Sequence, residues 1–394
     1  MVTAATEVDA AKERAKAAVA EARETLVEVS RDIHSHPELA LEETRAANLL
    51  SDTLEAQGFA VERGVYSIET AFRGVWGEGP VTVAYLLEYD ALPGIGHACG
   101  HNLIATAGLG GAIGLKGAVS PADVRVVVLG TPAEEDIGGK QLLLDKGAFD
   151  GVDAALMVHP APVEIADPLM FGFYSCYVTY HGREAHASIA PETALNALDG
   201  LVTAYQAVAQ LRQHIRRDAR LAGVILEGGE ASNVIPATAK GKFEVRALQP
   251  QYLEDLKGRI EGCFRAGAEA SGTTVDIEWT SVAYEPMNNN PTLVSLYKAN
   301  AEALGRRFFE GVVESTGSTD MGNVSWKVPS IHPTFQVGAF ALNHTAGFTE
   351  VCATDAAHEN MVQVGQALAM TGVDIALGES VANQARDEFA ATSR

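Results

Sequence analysis

The chain has 394 residues, 47% hydrophobic and 20% charged, and its 29 basic and 51 acidic side chains give a formal net charge of −22. A field of that sign repels phosphate backbones and anionic lipid, so it disfavours nucleic-acid and membrane-surface partners. Apolar runs fall far short of the roughly 20 residues that cross a bilayer. The N-terminus lacks the order of a secretory signal, and four widely spaced cysteines suggest no disulfide scaffold. We therefore expect a cytoplasmic protein with two domains.

Helical periodicity from residue 11 to about 57, with a break near Pro37, predicts two helices, the first on the surface. Short apolar runs rich in branched residues then predict strands buried on both faces. A final helix is expected to begin near Thr354. These elements predict an α/β domain with a mixed, mostly parallel sheet flanked by helices. The four predicted core strands are residues 81–87, 124–129, 154–158 and 331–337.

The middle of the chain follows a different pattern. Its elements run strand, helix, strand, strand, helix, strand, which is the order of a ferredoxin-like α+β unit. We therefore predict that residues 171–286 form an inserted lid and dimerisation domain, and that residues 1–170 and 287–394 together form the domain that carries the chemistry.

Side chains that can bind metal ions follow each of the four predicted core strands. Ligands of open α/β sheets bind at the carboxyl ends of the strands, so we expect these side chains to meet at one edge. Each alone would more often be structural, but four strand ends that deliver Cys, His and Glu to one edge predict a metal site. The candidate ligands are Cys99, His101, Glu135, His159 and His344.

Five ligands exceed what one tetrahedral ion with an open position needs, so the set predicts two ions roughly 3.5–4 Å apart. Mixed sulfur, nitrogen and oxygen donors fit Zn²⁺, with Mn²⁺ or Co²⁺ as alternatives. Glu134 is placed to take a proton from metal-activated water and to protonate a leaving amine. Asp90 is expected to accept a hydrogen bond from a ligand imidazole. For His97 we favour a structural role over that of a further ligand.

Several motifs together resemble one known family. The motifs are EYDALPGIGHACGHN, GTPAEE, ALMVHP, HGREAHAS, SNVIP, and GSTDMGNVS with NHTAGF. They resemble the di-metal aminoacylase and carboxypeptidase family, in the branch of indole-acetyl-amino-acid and aminobenzoyl-glutamate hydrolases. The resemblance runs in the same order from about residue 25 to 370. It implies a two-metal domain with the five ligands above and Glu134 as general base, and a lid that also forms a homodimer.

The resemblance also implies roles for three lid residues. His186 matches a histidine that is donated across the dimer to stabilise an oxyanion, and Asn233 and Arg246 match residues that hold the carboxylate end of a substrate. Asp136, a third acid after the Glu pair, departs from the pattern, as does HNLI where many relatives have HD followed by another His.

The implied reaction is hydrolysis of the amide bond of a small N-acyl amino acid or dipeptide, with release of a free amino acid. Two alternatives use the same residues differently. One is an aminohydrolase that removes an amine from an aromatic ring. The other is a non-catalytic metal- or peptide-binding protein, which is disfavoured because Glu134 and all five candidate ligands are present.

Overall fold

The computed structural model describes residues 2–280, 282–311, 317–378 and 380–392. Within these ranges, none of the helices is long and apolar enough to cross a membrane. The helices are α1 (Val2–Glu21), α2 (Arg23–Ser35), α3 (Thr44–Ala56), α4 (His101–Ala118), α5 (Gly139–Asp145), α6 (Ala197–Leu211), α7 (Pro250–Ser271), α8 (Pro291–Ala303), α9 (Met321–Ser325), α10 (Ala346–Cys352), α11 (Asp355–Leu377) and α12 (Val381–Thr392). The strands are β1 (Ala60–Arg63), β2 (Phe72–Trp76), β3 (Val81–Leu87), β4 (Val124–Gly130), β5 (Ala154–Leu156), β6 (His159–Ala161), β7 (Gly172–His181), β8 (Ala185–His186), β9 (Ala219–Glu227), β10 (Val234–Ile235), β11 (Thr238–Ala247), β12 (Thr274–Trp279), β13 (Ser330–Ile331) and β14 (Thr334–Gln336).

The chain divides into two compact units, and the second interrupts the first in sequence. Unit 1 contains Met1–Pro168, Asn288–Val313 and Asn323–Arg394. Unit 2 contains Leu169–Met287 and Glu314–Gly322.

Unit 1 is built on a six-stranded sheet with the order β1-β2-β4-β3-β5-β13. Its centre is parallel: Val83 of β3 lies opposite Val126 of β4 and Ala154 of β5, and β13 continues in parallel beside β5. β1 and β2 form an antiparallel edge. The branched residues of β3 and β4 are buried on both faces, as expected for a parallel sheet covered by helices. The predicted mixed, mostly parallel sheet is confirmed.

The helices of unit 1 correct two predictions. The N-terminal region contains three helices rather than two, because α1 ends at Glu21 and α2 begins at Arg23. The first helix is also more than a surface helix. Ala11, Ala15 and Val19 recur at a spacing of four residues and are completely buried in the core shared with α4 and α11. Alanine gives a weak hydrophobic pattern, so the buried face of α1 is hard to recognise in the sequence.

Other differences concern short strands and the C-terminus. The run 331–337 forms two very short strands, because the chain leaves the main sheet after β13, and β14 pairs with β6 instead. The run 154–158 forms only the three residues of β5. The β1–β2 hairpin was not predicted. A helix begins directly after Thr354, as expected, and the Thr354 side chain caps it, but it is not the final helix, because α12 follows.

Unit 2 has the predicted order of elements. Its four-stranded antiparallel sheet has the order β12-β7-β11-β9, with α6 and α7 packed on it. Tyr180, Phe243 and Phe264 are completely buried between the sheet and the helices. The first helix of this unit, α6, begins at Ala197, because the Asn196 side chain accepts backbone N–H groups of its first turn. This is the ferredoxin-like α+β arrangement predicted from the sequence.

Candidate metal centre

The first part of the site is the loop between β3 and α4. This loop ends at Gly100, whose φ of 79° allows His101 to begin the buried helix α4. A Cβ atom at Gly100 would lie 2.5 Å from Cγ of Pro160. The loop therefore packs directly against the segment that carries His159, and only glycine fits this close approach.

Asp90 connects two of the candidate ligands. Its Oδ1 lies 2.9 Å from Nδ1 of His101, and its Oδ2 accepts the backbone N–H of Glu135 at 3.0 Å. Burial would raise the pKa of Asp90, but the charge of His101 and its hydrogen bond lower it. The Asp90 carboxylate therefore accepts a hydrogen bond from Nδ1 of His101. The other ring nitrogen, Nε2, lies 3.8 Å from Oε1 of Glu135.

The other three candidate ligands come from different segments. Sγ of Cys99 lies 3.4 Å from Nε2 of His159, whose Nδ1 contacts the carbonyl oxygen of Pro160 at 2.8 Å. Nε2 of His344 lies 3.6 Å from Oε1 of Glu135. The His344 side chain is 55% exposed. Its backbone has a φ of 62°, and its N–H donates to the carbonyl of Ala98, which holds the His344 loop against the cysteine loop.

Ligand atoms of these residues converge in overlapping groups, each within 4.8 Å. Cys99, His101 and His159 form one group, and Cys99, Glu135 and His344 form another. A third group joins Glu134 to His101 and Glu135. The cysteine belongs to the first two groups, so a single sulfur lies between two potential ion sites.

Unpartnered buried atoms show that this donor set fits cations. Nε2 of His101, Oε1 of Glu135 and Oε2 of Glu88 are buried without a hydrogen-bond partner among the described residues. Leaving such atoms unpaired is costly unless another group, such as an ion, pairs with them. Sulfur, imidazole and carboxylate groups are the donors that bind Zn²⁺ or a similar divalent ion in proteins.

The electrostatics of the site point the same way. Burial and the nearby carboxylate of Glu135 raise the pKa of the Cys99 thiol well above its usual value. Burial also raises the pKa of Glu135. The ligand atoms of Cys99 and Glu135 lie within 4.8 Å of each other, so a thiolate and a carboxylate at these positions would repel each other. Bound cations would remove that repulsion and favour the ionised forms of both side chains.

The structure adds two buried acids that the sequence analysis missed. Glu88, directly after β3, is completely buried, forms an ion pair with the equally buried Lys140, and lies 3.5 Å from Nε2 of His101. Glu43, directly before α3, is also completely buried and accepts the backbone N–H of Ala133. Glu88 follows an apolar strand, which is a detectable signal. Glu43 sits in a polar stretch, LEET, that resembles an exposed helix start.

His97 is 1% exposed, and both of its ring nitrogens lack a hydrogen-bond partner among the described residues. It belongs to none of the candidate metal-binding groups found in the described part of the chain. The structural role that the sequence favours for His97 stays a prediction.

The three candidate lid residues lie in unit 2. His186 of β8 pairs with Val234 of β10, and the carbonyl of Asn233 accepts a hydrogen bond from the next residue after His186. Both side chains are exposed. Arg246 of β11 donates to the hydroxyl of Ser318 at 3.2 Å and lies over the ring of Phe173.

Comparisons with known proteins match this architecture. The Peptidase dimerisation domain model of the M20 peptidases matches residues 170–271. The chain is 41% identical to Xaa-Arg dipeptidase of Mus musculus over 98% of its own length and 94% of that protein. It is 26% identical to a component chain of the p-aminobenzoyl-glutamate hydrolase of Escherichia coli K12, over 93% of this chain and 92% of that protein.

A solved structure shares the fold. The Bacillus subtilis YXEP protein, described as a dinuclear metal-binding peptidase of the M20 family, superposes with a TM-score of 0.71 at 20% identity. The match covers 89% of this chain and 97% of that one. The chain is 41% identical to a dipeptidase over nearly its full length, and it has clustered thiol, imidazole and carboxylate groups. It therefore belongs to the M20 peptidase family and is a metal-dependent hydrolase of amide bonds in dipeptides or N-acyl amino acids.

Proposed function

We propose that the chain is a two-metal dipeptidase that releases a cationic amino acid from the C-terminal position of its substrate. The observation that carries this proposal is the convergence of two ligand groups on the shared sulfur of Cys99. The substrate preference is supported by the name of the 41% identical mouse relative, Xaa-Arg dipeptidase. It is also supported by the net charge of −22, which attracts cationic substrates.

Each ligand group would hold one ion. Cys99, His101 and His159 would bind one, and Cys99, Glu135 and His344 the other. Zn²⁺ and Mn²⁺ both suit this donor set, and Co²⁺ is an acceptable substitute. The divalent ions, when bound, supply Lewis-acid chemistry that lowers the pKa of water and polarises the amide carbonyl.

The residues of this chain perform the proton transfers and the positioning. Glu134 is 7% exposed and lies within 4.8 Å of His101 and Glu135. It takes a proton from the attacking water and passes it to the amide nitrogen, so that the amine leaves uncharged. Asp90 holds the His101 ring in the orientation that directs Nε2 into the site.

Unit 2 supplies the remaining groups in this proposal. His186 stabilises the oxyanion, and Asn233 and Arg246 hold the substrate carboxylate. The match of this region to a dimerisation domain supports a homodimer in which His186 serves the neighbouring protomer. Mixing Glu134→Ala and His186→Ala protomers tests this arrangement. Each variant alone should be inactive and the mixture should recover activity, whereas an inactive mixture that is shown to contain heterodimers would contradict a shared site.

A substrate panel tests the proposed specificity. We expect kcat/KM for Ala-Arg and Ala-Lys to exceed that for Ala-Glu, aminobenzoyl-glutamate and N-acetyl amino acids by at least about tenfold, equivalent to 1.4 kcal/mol. Equal rates across the panel would contradict the preference for a cationic leaving amino acid. Loss of an amine from an aromatic ring, with no amide of the panel cleaved, would favour the aminohydrolase alternative.

A further inference from the structure

The turn that carries Glu134 has an unusual backbone conformation. It follows β4, and Ala133, directly before Glu134, has a φ of 60°. This left-handed region is unfavourable for residues with a Cβ atom. Such a conformation persists only where the surrounding structure holds it in place. The contacts of Ala133 therefore determine where Glu134 points.

Hydrogen bonds fix both polar backbone groups of Ala133. Its N–H donates to Oε1 of Glu43 at 2.9 Å, and its carbonyl accepts the N–H of Gly139 at 3.1 Å. A Cβ at Gly139 would lie 1.8 Å from the carbonyl oxygen of Pro132, so this second contact requires glycine. The N–H of Glu135 is held separately by Asp90. The Glu43 contact thus acts on the residue before Glu134, and Asp90 acts on the residue after it.

Glu43 is anchored at the start of a helix, and its side chain lies in the protein interior. It directly precedes α3, and its carbonyl accepts the N–H of Ala47 in the first turn of that helix. Its side chain is completely buried, beside the hydroxyl of Thr70. Burial, together with the nearby charge of Asp90, raises the pKa of Glu43 to about 7. An acid in so unfavourable a place belongs to none of the metal-binding groups found among the described residues, so metal binding does not account for it.

We infer that Glu43 is a positioning residue of the hydrolytic site. By accepting the N–H of Ala133, it holds the left-handed turn that directs the Glu134 carboxylate toward the attacking water. The contact joins two segments 90 residues apart in sequence. The inference rests on the proposed role of Glu134 as the general base.

The test compares three variants of the full chain loaded with metal. Glu43→Ala removes the acceptor and should lower kcat by at least about tenfold, with KM changed by less than threefold, because ground-state binding does not use Glu134. Glu43→Gln keeps an acceptor oxygen and should retain at least about a third of kcat. Glu42→Ala, which removes the exposed neighbouring acid, is the matched control and should resemble the wild type.

A double variant separates positioning from packing. Ala133→Gly removes the penalty for a positive φ, so Glu43→Ala/Ala133→Gly should have at least about three times the kcat of Glu43→Ala. A purely structural role predicts that the substitutions act additively, so that Ala133→Gly changes kcat by the same factor in the wild type and in Glu43→Ala. Additivity, or wild-type kcat in Glu43→Ala, would overturn the inference.

Hydrogen exchange gives a measurement that does not depend on activity. A buried, hydrogen-bonded amide exchanges slowly. The amide of Ala133 should therefore be protected in the wild type and lose at least about tenfold of its protection in Glu43→Ala, with bound metal unchanged. Unchanged protection would refute the positioning role even in an active enzyme. If the wild type cleaves no amide, the proposed function fails, and the exchange result still decides whether Glu43 holds the turn.

Discussion

Asp90 lies 2.9 Å from Nδ1 of His101, and this contact determines which nitrogen of His101 faces the candidate metal centre. Because the carboxylate holds Nδ1, Nε2 of His101 faces the carboxylates of Glu88 at 3.5 Å and Glu135 at 3.8 Å. The same carboxylate fixes the backbone of Glu135. One acid therefore orients a ligand of each proposed ion.

Replacing Asp90 should weaken metal binding. In Asp90→Asn the amide nitrogen cannot accept the Glu135 N–H, so one of the two contacts is lost. We expect the metal affinity to fall by about 10–100-fold, as for other partners of metal ligands. Titration calorimetry with Zn²⁺ or Mn²⁺ measures this directly. Asp52→Asn removes an exposed acid of the same type and is the control. Equal affinities in the two variants would argue against this role for Asp90.

Substitutions of the adjacent acids Glu134 and Glu135 should have different effects on kcat and on bound metal. Glu134→Gln should lower kcat by about 10²–10⁴-fold while the bound metal is unchanged, because it removes the proton acceptor alone. Glu135→Gln should lose bound metal, because it removes a ligand. Metal content by elemental analysis, measured beside kcat, distinguishes the two effects. Loss of metal in both variants, or in neither, would contradict the division of roles.

Metal removal should destabilise unit 1. The buried Nε2 of His101 and Oε1 of Glu135 have no hydrogen-bond partner among the described residues, and bound cations would pair with both. A ligand at 1,000 times its Kd stabilises the folded state by about 4 kcal/mol. For a unit of this size we expect chelation to lower Tm on the order of 10 °C. His101→Ala should lose this metal-dependent gain. A Tm that does not change with metal would contradict the ligand assignment.

Glu43 should make stability depend on pH. Its pKa rises from 4.5 in the unfolded chain to about 7 in the folded protein. Between these values the folded state holds a proton that the unfolded state has lost, so this group's contribution to the free energy of unfolding falls as pH rises. The loss amounts to about 3 kcal/mol at 1.36 kcal/mol per pH unit.

Glu43→Gln cannot ionise, so its stability relative to the wild type should increase by about that amount between pH 4.5 and 8. Urea unfolding of both metal-loaded proteins across this range measures the difference. Glu42→Gln should show no such trend, because Glu42 is exposed. A difference between Glu43→Gln and the wild type that does not change with pH would mean that Glu43 titrates normally.

The sequence predicted the structure best where candidate metal ligands directly follow core strands. The apolar runs of β3 and β4 predicted the centre of the sheet, and the motifs after them predicted Cys99, His101 and Glu135, which the structure brings together. Strand ends of a parallel sheet meet at one edge, so local patterns were sufficient there.

The remaining features depend on tertiary contacts that leave little trace in the sequence. The buried face of α1 consists largely of alanine, and its burial depends on α4 and α11. In the sequence Glu43 resembles an exposed acid. Only the structure shows that its side chain accepts a hydrogen bond from the backbone N–H of Ala133, 90 residues away. Lys140 likewise appears solvent-exposed in the sequence, yet it is buried against Glu88.

The most direct test of the account measures amino acid release from Ala-Arg together with bound metal. The purified chain should bind two divalent ions and release free arginine. Chelation should abolish release, and Zn²⁺ or Mn²⁺ should restore it. If the chain binds two ions per protomer and still cleaves neither dipeptides nor N-acyl amino acids, the assignment of this site to amide hydrolysis is wrong.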